Sequence, residues 1–147
     1  MKKLFEMTLI QENDIDMGTT CMGETLVSPS DKGVFRGEEL NGKLVPMGMG
    51  VTYTPSPGIN DIKTTMLLLT DDGAHILMDM QAFFDIDADK EDMLSRGEKV
   101  SPDEYYYKGT VLFKTGAGQY KWLERKVCIC ELVVESWEKV IMTVYMV

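Results

Sequence analysis

Two ionisable side chains stand out among apolar neighbours in this sequence, His75 and Arg125. His75 is the only histidine of the chain, and an imidazole titrates near neutral pH, which suits a general base. The position of His75 is equally typical of a structural strand residue beside a turn, at the rim of a sheet. No nucleophile lies at a spacing that indicates catalysis, so the structural interpretation of His75 is the one we favour.

Arg125 lies in YKWLERKVCICELVV, residues 120–134, which we predict as a long strand or a bent pair of strands. If Leu123 points into the core, so does Arg125, because side chains two apart share a strand face. A buried guanidinium must be paired or hydrogen-bonded. Either Glu131 or another acid pairs with it, or it anchors an anionic ligand. The opposite parity, with Glu124 facing inward, stays open.

The three cysteines are candidate ligands of a soft metal, since Cys128 and Cys130 share one face and could combine with Cys21 or His75. A buried cysteine, however, more often serves as a small hydrophobic residue. We predict core thiols that remain reduced, with no metal site and no cofactor.

The acidic run DIDADKEDMLSR, residues 85–96, resembles the start of a calcium-binding EF-hand loop. Such a loop needs glycine at its sixth position and a bidentate glutamate at its twelfth, where this chain has Lys90 and Arg96. We predict instead a short helix over residues 88–96, capped by an aspartate and ended by Gly97.

A hairpin is predicted within LLLTDDGAHILM, residues 67–78. The pair Asp72-Gly73 favours a two-residue type I′ turn, which places Thr70 opposite His75. Both faces of this hairpin are largely apolar. We therefore expect one face to pack on the core and the other against another subunit or element.

The rest of the chain continues the pattern of alternating strands, over residues 4–11, 105–113 and 140–147. Five glycines in residues 33–50 indicate bent strands and tight turns. A chain of 147 residues fits one domain. We predict a single all-β domain over residues 1–147: an antiparallel closed β-barrel, lipocalin-like or calycin-like, with one short helix.

The net charge of the chain limits the classes of molecule that it can bind. The net charge is −9, from 24 acidic and 15 basic residues, which disfavours nucleic acid and anionic membrane surfaces. Glu6 interrupts the apolar run that a signal peptide requires, and no segment approaches the roughly 20 apolar residues of a membrane-spanning helix. We expect a cytoplasmic protein.

Several fragments resemble, in order and spacing, the family known as domain of unknown function 3237. They are MKKLFEMTL, GVFRGEELNGKLVPMGMG, LLLTDDGAHI, SPDEYYYKGTVLFKTG and YKWLERKV. The resemblance covers nearly the whole chain. It implies an antiparallel β-barrel in a small bacterial protein that forms a homo-oligomer, and it implies no established reaction.

The chain departs from the family pattern at three places. Gly50-Val51 replaces an Asp-Trp pair, Lys63-Thr64-Thr65 replaces Asp and Arg flanking an alanine, and Glu124 replaces an asparagine before Arg125. A polar site shared by the family would be changed or lost here.

We expect the barrel to bind a small, largely apolar molecule, with an anionic group as one option, by analogy with other barrels. The candidate contacts are Arg125 and Tyr107 for a carboxylate or enolate, with Tyr53, Phe35 and His75 completing the site. Aromatic residues and twelve methionines suit a cavity wall, a filled core or an oligomer interface equally.

Two other functions stay open. One is an isomerase or lyase that uses a buried acid–base pair drawn from Tyr107, Glu124, Glu131 and His75. The other is a structural protein with a filled barrel, whose apolar outer faces assemble subunits. An outer-membrane barrel is disfavoured, because no consistent polar-inside pattern is present.

Overall fold

The computed structural model describes all 147 residues, in ten strands, one α-helix and two 3₁₀ helices. The strands are β1 Lys2–Ile10, β2 Ile15–Thr20, β3 Gly23–Ser30, β4 Lys32–Arg36, β5 Gly42–Ser56, β6 Ile59–Thr70, β7 His75–Asp85, β8 Tyr106–Lys114, β9 Cys128–Ser136 and β10 Lys139–Met146. Helix α1 is Ala88–Ser95, and the 3₁₀ helices are Pro102–Glu104 and Gly118–Arg125. No helix is long and apolar enough to cross a membrane.

Eight strands close into an antiparallel barrel in the circular order β1-β4-β5-β6-β7-β8-β9-β10, which the pairing of β10 with β1 completes. Neighbours in the barrel are neighbours in the chain, apart from the closing pair β10–β1 and the excursion between β1 and β4. That excursion is the β2–β3 hairpin, which lies outside the barrel and extends the sheet from β5. The predicted all-β closed barrel is confirmed.

The interior follows from the alternation of the strands, whose inward side chains are apolar. On β1, Phe5, Met7 and Leu9 are buried, as the sequence predicts. Phe5 lies against Phe35 and Phe113, with ring centroids 5.3 and 6.2 Å apart. The middle of the barrel is therefore filled by side chains.

The hairpin between β6 and β7 forms, but the predicted register is wrong by one residue. His75 lies opposite Leu69 rather than Thr70. The turn is longer than two residues: the Thr70 N–H donates to the Ala74 carbonyl at 2.8 Å, and only Gly73 has a positive φ, of 90°. A type I′ turn needs positive φ at two positions, so a longer turn forms and shifts the pairing.

Residues 118–125 are helical, so the predicted strand over residues 120–134 is wrong in its first half; β9 begins only at Cys128. Tyr120 and Leu123 are three apart, the repeat of a 3₁₀ helix, and both pack on the core. This segment, here called the 3₁₀ cap, covers the end of the barrel that holds the β6–β7 turn. Its Tyr120 hydroxyl donates to the Asp72 carboxylate, with 3.0 Å to each oxygen.

Asp72 joins this turn to the 3₁₀ cap. Its carboxylate accepts hydrogen bonds from the hydroxyls of Thr70 and Tyr120. These bonds, the one from Thr70 first, hold the pKa of Asp72 below its ordinary value of 3.8.

The opposite end of the barrel is covered in part by α1. This helix confirms the short helix predicted over residues 88–96, with Asp87 at its N-cap and Gly97, at φ 85°, just after its end. Its buried side chain is Leu94, which joins the core. Strand β5, which contains three of the five glycines in residues 33–50, has a register shift between Val45 and Met49, in agreement with the predicted bending.

Candidate functional site

A cavity of about 240 Å³ lies at the α1 end of the barrel. Its lining comes from β3, from the six consecutive barrel strands β5 to β10 and from α1. The β2–β3 extension forms one side, through Leu26 and Ser28. Its lining combines apolar side chains with hydroxyls and amides, the mixed composition typical of a ligand site.

Tyr107 is the central side chain of this cavity. It is 8% exposed, and burial raises the pKa of its phenol well above the ordinary value of 10. Its ring stacks on Phe84, with centroids 4.3 Å apart and planes 18° from parallel. Its hydroxyl makes no hydrogen bond within the protein, and every fully buried side-chain polar atom has a partner. The hydroxyl therefore faces the open cavity.

Asn60 organises the polar side of the cavity. It is buried on β6, and its Nδ2 donates to the Phe84 carbonyl at 2.9 Å and to Oε2 of Glu91 at 3.2 Å. Its Oδ1 accepts from the Thr54 hydroxyl at 2.6 Å. Both donors of the amide are thus used, which fixes Glu91 of α1 at the cavity wall.

The mouth of the cavity carries charge and an aromatic ring. Asp14, from the loop after β1, and Trp137, from the β9–β10 turn, line it together with Glu91. Trp137 is 46% exposed. No lysine or arginine lines the cavity.

Of the five predicted ligand contacts, only Tyr107 lines this cavity. Phe35 is fully buried in the filled core, and Tyr53 lies in an open groove on the outer side of β5. His75 is an exposed strand residue beside the β6–β7 turn, at the far end of the barrel, the place that the structural interpretation gave it.

Arg125 does not point into the barrel. It ends the 3₁₀ cap and is exposed, at the end opposite the cavity. The prediction that Arg125 points inward with Leu123 was wrong because it assumed a strand, whereas the chain forms a 3₁₀ helix there. An inward guanidinium anchoring an anion is therefore absent.

The four candidate acid–base residues are not brought together. His75 and Glu124 line a shallow outer groove near the 3₁₀ cap. Glu131 points outward and pairs with Lys108 at 3.6 Å, and Tyr107 lies at the other end of the barrel. These residues form no acid–base pair inside the barrel.

The cysteines occur where core thiols were predicted on β9. Cys128 and Cys130 are buried, Cys21 is exposed, and all three are free. Burial raises the pKa of the Cys130 thiol to about 12. No group of three or more His, Cys, Asp and Glu side chains is placed to hold a metal.

Comparison with known proteins agrees with this architecture. A family model described as "Protein of unknown function (DUF3237)" matches residues 1–147. The chain belongs to this family. A UPF0311 protein of Clostridium acetobutylicum is 24% identical over 130 residues, which cover 88% of this chain and 82% of that protein.

Two crystal structures share the DUF3237 fold. A β-barrel-like protein of Acinetobacter baumannii is 28% identical, with a TM-score of 0.84 over 99% of this chain and 93% of the other. A protein of unknown function from Rhodopseudomonas palustris is 21% identical, with a TM-score of 0.88 over 99% of this chain and 95% of the other. The second likeness shows the fold alone.

Two positions at which this DUF3237 protein departs from the expected pattern, Gly50 and Thr64, line the cavity. A side chain at position 50 would meet the Thr64 hydroxyl, since a Cβ placed there lies 2.8 Å from Oγ1. The glycine therefore keeps this part of the cavity open. The changes concern the shape and chemistry of the cavity, rather than a remote surface.

Sequence reasoning missed Asn60, Glu91 and Trp137. Asn60 carried a usable signal: it is a polar residue in phase with the inward series Ile62, Thr64, Met66 and Leu68 of β6. Glu91 resembled an ordinary acid in the first turn of a helix, and Trp137 an ordinary turn residue. Only the closure of the barrel brings these three together.

Proposed function

We propose that the protein binds a small, largely apolar molecule in the cavity at the α1 end of the barrel. The observation that carries this proposal is the hydroxyl of the buried residue Tyr107, which faces the cavity and has no protein partner. An unpaired polar group in such a place costs stability unless something occupies it. A ligand group that can exchange a hydrogen bond with a phenol provides that partner.

The proportions of the cavity support a small ligand. Its volume of about 240 Å³ lies just below the roughly 300 to 1,000 Å³ of typical ligand pockets. The stacked rings of Phe84 and Tyr107 supply apolar surface to the cavity, beside which one ring or a short chain can pack. The filled middle of the barrel excludes a long ligand running along its axis.

The test is a fragment screen by protein NMR, with uncharged aromatic alcohols and phenols, followed by titration of the best binder. Tyr107→Phe keeps the ring and removes the hydroxyl. We expect a five- to tenfold loss of affinity, the equivalent of one net hydrogen bond of about 1 to 1.5 kcal/mol.

Tyr105→Phe is the matched control, because the Tyr105 hydroxyl is used internally, accepting from the Val134 N–H at 2.9 Å. It should leave affinity unchanged. Equal affinity of Tyr107→Phe and the wild type would refute the role of the phenol.

We also propose that the protein self-associates through the outer face of β7 and β8. Leu77, Phe83 and Leu112 are exposed there, Leu112 by 64%, although side chains on a free sheet face are usually polar. Light scattering with Leu112→Lys tests this: a wild-type oligomer that dissociates in the variant supports it, and a monomeric wild type refutes it.

A further inference from the structure

We propose that the ligand of this cavity carries a positive charge: it is an amine or ammonium compound on a small apolar body. The inference rests on the proposed function, since it names the chemical class that the same cavity accepts. It reverses the anionic ligand that the sequence predicted from Arg125.

The charges at the cavity are all of one sign. Asp14 and Glu91 line it, and no lysine, arginine or histidine does. Neither carboxylate forms an ion pair within the protein: Lys90, the cation next to Glu91 in the chain, pairs with Asp87 and Glu104 instead. The net charge of −9 adds a field that attracts cations.

Glu91 is held with one oxygen available. Its Oε2 accepts from Asn60, while Oε1 has no protein donor. Because Asn60 also donates to the Phe84 carbonyl, its amide has no hydrogen left to stabilise an anion. The fixed network therefore presents an acceptor to the ligand, and a carboxylate ligand would meet like charge.

The aromatic side chains suit the same class of ligand. Trp137, which is half exposed, lines the cavity, and the mutually stacked rings of Phe84 and Tyr107 add apolar surface beside it. Aromatic faces attract ammonium groups, most strongly when those groups are partly desolvated. The Tyr107 hydroxyl, which has no partner, can accept a hydrogen bond from an N–H of the ligand.

The experiment compares three near-isosteric probes: 2-phenylethylamine, 2-phenylethanol and 3-phenylpropanoate. Binding is followed by amide and indole NMR shifts at pH 7 in low salt, with the signals of Trp137 and the Asn60 side chain locating the site. We expect the amine to bind at least tenfold more tightly than the alcohol and the carboxylate to bind weakest. Added salt should weaken only the amine.

Glu91→Gln keeps the acceptor for Asn60 and removes the charge, so it should remove most of the preference for the amine over the alcohol. Asp14→Asn, on an exposed loop, should reduce amine binding without any effect on folding. Asp92→Asn is the control: it removes the same charge from an exposed position of α1 outside the cavity lining. It should leave the preference intact.

The outcomes separate the two proposals. Equal binding of amine and alcohol, or tightest binding of the carboxylate, with shifts at Trp137, overturns the positive charge and leaves the binding site standing. A preference that survives both Glu91→Gln and Asp14→Asn overturns the assigned carboxylates. Absence of binding by all three probes at millimolar concentration overturns both proposals.

Discussion

Tyr107 and Tyr105 provide a paired test of what a buried phenol contributes to this fold. Both lie against Phe84, and they differ in their hydroxyls: that of Tyr105 accepts from the Val134 N–H, and that of Tyr107 has no protein partner. Tyr105→Phe therefore removes one hydrogen bond within the protein, and Tyr107→Phe removes none.

The expected energies have opposite signs. Tyr105→Phe leaves a backbone N–H without its acceptor and should lower the free energy of unfolding by about 1 kcal/mol. Tyr107→Phe removes a poorly solvated hydroxyl, and we expect it to raise that free energy by up to about 1 kcal/mol. A gap of about 2 kcal/mol corresponds to about 4 to 8 °C in Tm for a domain of this size.

The pH dependence of the free energy of unfolding gives a second test of Tyr107. Burial raises the pKa of Tyr107 above its ordinary value of 10, so above pH 10 the unfolded chain releases a proton that the folded protein keeps. The stability of the wild type then falls as pH rises. The stability gap between Tyr107→Phe and wild type should widen above pH 10.

The assay is urea denaturation of the ligand-free wild type and both variants, at pH 8 and above pH 10, followed by circular dichroism. A loss of 1 kcal/mol or more in Tyr107→Phe would refute the reasoning, since it would mean that the hydroxyl is bonded within the fold. A loss in Tyr105→Phe alone is the expected result.

Three further predictions concern other parts of the barrel. The carboxylate of Asp72 has a lowered pKa, so it stabilises the fold fully above pH 3.8 and loses that effect as pH falls through the pKa of the folded state. The stability difference between Asp72→Asn and the wild type should therefore shrink in acid denaturation curves. Gly58→Ala should cost at least 1 to 3 kcal/mol in urea denaturation, because φ is 80° and a Cβ would lie 2.1 Å from a carbonyl oxygen, whereas Gly116→Ala, in open space, should be nearly neutral. Ellman's reagent should titrate one thiol in the native protein, that of exposed Cys21, and three in urea, since Cys130 is fully buried with a raised pKa; rapid reaction of a second native thiol would contradict the burial.

The strands were predictable where one face is buried, because alternation then encodes the fold directly. Phe5, Met7 and Leu9 lie inward as their spacing indicates, and the helix after Asp87 begins where the acidic residues predict it. Register was harder. The observed turn is longer than the predicted two-residue turn, and this moves every pair between β6 and β7 by one residue. The dipeptide Asp72-Gly73 is compatible with both turns.

The candidate site could be predicted only for Tyr107. Arg125 was misplaced because a 3₁₀ helix and a strand can both bury Leu123, and they differ in where the following charged residue points. Asn60 and Glu91 are 31 residues apart and meet only in the closed barrel. A contact of that kind depends on tertiary geometry that local periodicity does not contain.

The pairing of β1 with β10 has a consequence for how the protein is made. Along Lys2↔Met146 to Ile10↔Lys139, the first strand binds the last, so closure joins segments separated by nearly the whole chain. Contacts of such long separation slow folding, while the hairpins from β5 to β10 form locally. On the ribosome β1 emerges well before β10, so the edge of β1 that pairs with β10 stays without its partner until β10 is complete. For that interval it is an open strand edge of the kind that aggregates and that chaperones bind.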